Sequence, residues 1–149
     1  MPQKNKTRKP LTESDLFSIV ESTEAELLDA SKQLAETSDK ILDGAFNAIS
    51  FNELIKGGSH QASTVLVDGK PAFVIIHARN AVGWLMVDGA VKIGDAPLEH
   101  LFEGGYAIAK HFKCPQIVFV TKLKSLFRYA VNHDFNCLGV MLCKAVPQS

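Results

Sequence analysis

ASTVLVDGKPAFVIIHARNAVGWLMVDG, residues 62–89, alternates three apolar runs with two turn signals. Asp68-Gly69 lies between ASTVLV (62–67) and PAFVIIHA (71–78). An Asp-Gly pair between two apolar runs is a strong hairpin signal, because these residues accept the positive φ of a two-residue turn. Arg79-Asn80-Ala81 marks a second turn, and VGWLMVDG (82–89) reads as a third strand. The stretch predicts a three-stranded antiparallel meander. His77 falls inside an apolar strand, which points to a hydrogen-bonded core histidine rather than a base. Trp84 is read as core.

Downstream the period changes. Leu98, Leu101, Phe102, Gly105, Ala109 and Phe112 recur at helical spacing. Asp95 is placed as the N-cap, and Pro97 is tolerated in a first turn. Gly104-Gly105 inside this helix costs about 1 kcal/mol per glycine against alanine, so something is expected to pack closely there. Cys114-Pro115 ends the helix. QIVFVT (116–121) is a buried-type strand. Leu123, Leu126, Phe127, Ala130 and Val131 define a second helix, and CLGVMLCKAV (137–146) reads as the last strand.

Upstream, Gly57-Gly58-Ser59 is a break, and residues 12–56 admit two readings. Leu16, Phe17, Ile19 and Val20 form a short strand, followed by a capping box at Thr23 and Glu26 that opens one long or two short helices. Alternatively, near-heptad spacing from Leu16 to Ile41 makes one continuous helix from Thr12. The clustering of β-branched and aromatic residues favours the strand. Residues 1–11, with four positive charges and two prolines, read as a flexible basic arm. Residues 12–149 then form one domain, in the order β-α(α)-β-β-β-α-β-α-β. That is an α/β (α+β) arrangement with a mixed, mostly antiparallel sheet flanked by helices.

Sixteen basic and sixteen acidic residues cancel, so overall charge selects no partner. Local charge does not cancel. Residues 11–56 hold ten acids against three bases, and residues 57–149 hold six acids against nine bases. Lys4, Lys6, Arg8 and Lys9 form a solvated terminus or, alternatively, a contact to nucleic acid. Cys114, Cys137 and Cys143 show no CxxC pair and read as free thiols in a reducing compartment. No apolar run approaches the roughly 18–20 residues of a membrane span, and no apolar stretch follows the basic start as in a signal peptide. The expected location is the cytoplasm, or host cytoplasm or virion for a viral protein.

The element order resembles the GNAT acetyltransferase superfamily. IGDAPLEHLFEGGYAIAKHF is similar to the helix that follows its pyrophosphate-binding loop. LFRYAVNHDFNCLGVML is similar to its later helix-turn-strand. The layout also resembles the small GNAT-like internal virion proteins of T7-type podophages. The resemblance implies acetyl-CoA as cofactor, with no metal. The family's loop has the form Gln/Arg-x-x-Gly-x-Gly/Ala, whose glycines and helix-start amides face a pyrophosphate. It aligns here in two ways. From Gly89 to Gly94, the leading residue becomes Gly89 and the first glycine becomes Lys92. From Val91 to Ala96, Gly94 and Ala96 are kept, but Asp95 puts a carboxylate in the cradle. The implied cofactor-binding residues are Val87, Gly89, Val91, Lys92 and Gly94, against an ordinary capped helix start. The backbone of residues 87–91 would polarise the thioester carbonyl.

The family's general acid is often a tyrosine on the later helix. Aligning Asp134-Phe135 on its Gly-Phe puts Ala130 there, with Tyr129 turned by about 100°. Tyr129 is the candidate acid, or else a half-buried amphipathic residue. Glu99, Glu103 and the histidines have no diagnostic spacing. His111-x-x-Cys114 lacks the second ligand pair that zinc needs. Lys110, His111, Lys113, Lys122, Lys124 and Arg128 form a rim around the two later helices, solvated or receiving an acidic surface. Two functions follow. The degraded motifs suggest a non-catalytic or weakly active binding or virion-associated protein, docked to a protein partner or virion component. The alternative is an active acyl-CoA-dependent N-acetyltransferase acting on an amine.

Overall fold

A computed structural model describes residues 8–41, 53, 55–119, 124–135 and 147. The meander is present. Strand β3 (Gln61–Val67) and β4 (Lys70–Arg79) pair antiparallel across Asp68 and Gly69, whose φ values of 54° and 75° give the left-handed pair of a type I′ turn. The third strand, β5, spans Leu85–Lys92 rather than 82–89. Asn80 sets its start. Its Oδ1 accepts from the amides of Val82 and Trp84, at 3.1 and 2.9 Å, so these residues belong to the turn.

The strand reading of the N-terminal segment holds. β2 (Ser18–Glu21) pairs antiparallel with β3, Ile19 facing Val65. Ile19 and Val20 are both buried, one toward each sheet face. Helix α1 (Glu24–Ile41) follows, opened by the predicted capping box. The Glu26 amide donates to Thr23 Oγ1 at 3.1 Å, and the Thr23 amide donates to Glu26 Oε1 at 3.0 Å. The same carboxylate takes the Arg8 guanidinium on both oxygens and the Thr64 hydroxyl at 2.9 Å. Burial alone would raise the Glu26 pKa, but the Arg8, Thr23 and Thr64 hydrogen bonds outweigh it and hold the carboxyl below its usual range.

Of the arm expected over 1–11, residues 8–11 belong to the fold. Arg8 is tied to α1, and Pro10–Glu13 form an edge strand, β1, on β2. Proline at the start of an edge strand is permitted, because its missing N–H faces away from the ladder. The sheet runs β1-β2-β3-β4-β5-β6, antiparallel except for the parallel pair of β5 with β6 (Ile117–Phe119).

Alternation along the strands makes two cores. Ile19, Val65, Phe73, Ile75, Leu85 and Val87 face helix α2 (Glu99–His111), which contributes Leu101, Ile108 and Ala109. Val74, Ile76, Ala62 and Val91 face the other way, toward Leu27 and Ala30 of α1 and toward Ile55. The glycine pair in α2 lets the helix lie close on the sheet. A Cβ at Gly104 would stand 2.8 Å from Val65 Cγ2, and one at Gly105 would stand 3.0 Å from Ile117 Cδ1 and from Phe119 Cζ.

Asp95 is not the cap of α2. Leu98 occupies that position without a side-chain hydrogen bond, and the Asp95 side chain is fully exposed. Helix α3 (Lys124–Asn132) is the second predicted helix. The predicted strand at 137–146, with Cys137 and Cys143, lies outside the described residues, as do Lys4 and Lys6. No helix among the described residues is long and apolar enough to cross a membrane.

Candidate functional site

β5 carries the site. Along β4, Ile76 pairs with Gly89 and His77 with Val87, so Asp88 is an extra residue, a β-bulge. A bulge re-aims its side chain and ends regular pairing. The Asp88 carboxylate is about one-third exposed and meets His60 Nε2 at 2.6 Å. His60 is more deeply placed, and its Nδ1 lies 3.2 Å from the Ser59 hydroxyl. With Nε2–H donating to the carboxylate, the neutral ring accepts from Ser59 at Nδ1. The chain from Gly57 to His60 thus fixes the carboxylate from the far side of β4.

Among the described residues β5 pairs with β6 from Leu85 to Val87, opposite Ile117 to Phe119, the last described residue of β6. From Asp88 to Lys92 the same edge of β5 has no strand beside it among the described residues.

The five residues expected to bind cofactor divide between core, edge and loop. Val87 and Val91 turn their side chains into the two cores. Gly89 is buried in the ladder opposite Ile76. Lys92 is exposed, its ammonium 4.0 Å from the Asp95 carboxylate. Gly94 is required by a different neighbour from the one expected. A Cβ there would stand 2.1 Å from the Pro71 carbonyl oxygen. The Gly94 and Ile93 amides both donate to the Ala72 carbonyl, at 3.0 and 2.9 Å, so neither faces an anion. The amides of Asp95 and Ala96 have no acceptor among the described residues.

Tyr129 is held by rings. It stacks on Phe102 of α2, centroids 4.9 Å apart, and on His133, 4.0 Å apart. Burial, then the charges of Glu99 and Glu103, push its phenol above the usual value. Protonating a leaving thiolate needs the hydroxyl at the β5 edge, whereas this stack ties the ring to α2. Glu99 and Glu103 line the groove beside it. His77 is the core histidine that the sequence implied. Its Nε2 lies 2.9 Å from the buried Ser63 hydroxyl, and burial, with a smaller contribution from His60, pushes its pKa down to about 4. His111 packs edge-on against Phe112, and no group of three metal-ligating residues occurs among the described residues.

Sequence reasoning missed His60 and Asp88. The one available signal was Asp88-Gly89, a charged residue and a glycine interrupting an apolar strand, which is how a bulge reads in sequence. Nothing in sequence joined it to His60.

No family model and no curated protein matches the chain. Solved structures do. The fold is similar to a possible acetyltransferase from Clostridium difficile 630, with a TM-score of 0.59 and 10% identity over 90% of this chain and 100% of that one. It is similar to a ribosomal-protein-alanine N-acetyltransferase from Brucella melitensis biovar Abortus 2308, with a TM-score of 0.58 and 12% identity over 89% and 99%. It is also similar to AAC(6')-Iy in complex with a bisubstrate analogue, CoA-S-monomethyl-acetylneamine, with a TM-score of 0.55 and 11% identity over 89% and 99%. At such identities the likeness shows the fold, which is that of the GNAT acetyltransferases.

Proposed function

We propose that the chain is an acyl-CoA-dependent N-acyltransferase with a weakened hold on the cofactor's diphosphate. The observation that carries this reading is the bulge at Asp88, where a β5 residue leaves the β4 ladder and His60 holds its carboxylate; acyl-CoA would lie along the β5 edge beyond it. An unpaired strand edge offers amides and carbonyls to an extended ligand. The amide-containing arm of CoA suits that edge.

The diphosphate end fits only in a displaced form. Ile93 and Gly94 have spent their amides on Ala72, so the donors left are the Lys92 ammonium, the amides of Asp95 and Ala96, and those of Leu98 and Glu99 at the start of α2. The Asp95 carboxylate beside them opposes a polyanion. When bound, acyl-CoA supplies an activated thioester carbonyl. The chain's own residues do the rest. Backbone donors along the β5 edge polarise that carbonyl. Asp88 would take a proton from the acceptor ammonium to leave a free amine, and His60 would keep its carboxylate aimed. That amine would bond to the carbonyl carbon as the carbon–sulfur bond breaks, CoA leaving as a thiolate that takes up the proton shed by the new amide nitrogen.

A second reading is favoured by the spent amides and Asp95: a GNAT-fold binding protein that turns nothing over. Its virion-associated form rests on the sequence resemblance. Calorimetric titration with acetyl-CoA separates the two. Micromolar binding that is lost in Lys92→Glu supports the transferase. The absence of any heat or thermal shift at millimolar acetyl-CoA removes it in favour of the binding role.

A further inference from the structure

A second concave surface lies on the outer side of α2, apart from the β5 edge. The β1–β2 turn bounds one side of it and α3 the other, enclosing a groove of about 860 Å³. Glu99, Glu103, Tyr106 and Lys110 follow at steps of four, three and four residues and so form one stripe of α2 along it. Its floor is aromatic. Phe102, Tyr129 and His133 form a column of stacked rings, and Phe135 meets Phe102 edge-on at 5.5 Å. Two side chains that normally seek cover are exposed on its walls, Leu16 at 57% and Tyr106 at 59%.

Charge selects the class of ligand. Glu13 and Asp15 line one wall, and Glu99 and Glu103 line another. None of these four carboxylates forms an ion pair among the described residues. The pressure of Glu99 and Glu103 on the Tyr129 phenol shows that their field reaches the ring column. The bases lie toward the other end, where the Lys110 ammonium stands 5.8 Å over the Tyr106 ring. Such a field repels nucleic acid and the phosphates of a nucleotide. The exposed Tyr106 ring and the outer end of the ring column, beside these carboxylates, suit a guanidinium or ammonium, which gains an aromatic contact and a counter-charge together. The exposed Leu16 and Tyr106 suit an apolar neighbour of that cation.

We infer that this groove docks a basic, amphipathic segment of a partner polypeptide, an arginine or lysine beside apolar residues. The inference is independent of whether the chain transfers acyl groups. The test is fluorescence anisotropy with a labelled peptide of alternating arginine and leucine, added to the full chain, and a glutamate–leucine peptide as control. Saturable binding of the basic peptide alone is expected, weakening with salt. The double variant Glu99→Gln, Glu103→Gln changes only exposed side chains, and its thermal midpoint verifies folding. It should bind about tenfold more weakly, since rim and cation–π contributions of this size are typical. Tyr129→Ala should weaken binding as well, and Tyr129→Phe, which keeps the ring, should not. Equal binding by the wild type and the double variant, or equal binding of the acidic peptide, overturns the inference. Self-association that the double variant abolishes also overturns it, because the groove's occupant would then be a second copy of this chain.

Discussion

Protonating His77 means placing a charge in a core where its ring packs on Phe112 and its Nε2 meets the Ser63 hydroxyl. Its folded pKa, about 4, is below the 6.5 of a free imidazole. The unfolded chain therefore binds the extra proton first as pH falls. The stability owed to a neutral His77 is whole above pH 6.5 and drains away between 6.5 and 4, by about 3 kcal/mol in all. Below 4 this contribution stops changing. Unfolding midpoints in urea across that interval should fall more steeply for the wild type than for His77→Gln, which can still bond Ser63 but does not titrate. Parallel curves would show that His77 is not the group responsible. A core histidine was readable from its apolar flanks alone. Its partner was not, because Ser63 and His77 meet only through the β3–β4 register.

Glycines show what a sequence pattern can and cannot specify about an element. Gly94 stands out in the sequence as a position where backbone must come close to something, and a diphosphate is the obvious partner. The partner is the Pro71 carbonyl, so the loop after β5 is sewn to the start of β4. Gly94→Ala drives a Cβ into backbone that cannot move aside. It should cost more than the 1–3 kcal/mol usual for overpacking, and circular dichroism melts would register it as a marked loss. The pair inside α2 gives a finer comparison. Alanine gains about 1 kcal/mol over glycine in a helix interior. At Gly104 the obstacle is Val65 Cγ2, on a β-branched side chain with one favoured rotamer, so the net change should be a loss. At Gly105 the obstacles are the far ends of Ile117 and Phe119, which can yield, so Gly105→Ala should be near neutral. Reversed ranks in denaturant titrations would mean that helix propensity, not sheet contact, governs α2. The capping box at Thr23 and Glu26 was legible to the residue, because both partners lie within one turn. The start of α2 was not, since the Gly94–Ala72 tether, and not Asp95, fixes the chain ahead of it.

At the scale of the molecule, the sheet order decides which distant residues become neighbours. The meander was legible because each of its turns is local. The bulge pair was not, because His60 and Asp88 are separated by 28 residues and by the whole of β4. β3 starts where His60 leaves the Gly57-Gly58 turn, and β5 bulges where Asp88 leaves the ladder. Only the pairing of β3, β4 and β5 brings the ring and the carboxylate to one place. On the proposed function, Lys92 and Asp88 then hold separate jobs along β5. Lys92 lies toward the start of α2, so Lys92→Glu should weaken acetyl-CoA binding. Asp88 lies at the bulge, so Asp88→Asn should leave acetyl-CoA affinity near its wild-type value and slow acyl transfer to an amine by about 100-fold, the scale of a positioned base. His60→Ala should act through Asp88, with a smaller fall in turnover that His60→Gln partly restores. The separation is measured by calorimetry for affinity and by thiol release for turnover, on the same preparations. If Asp88→Asn abolishes acetyl-CoA binding along with turnover, the carboxylate serves the cofactor's site and the base must be sought elsewhere on the β5 edge.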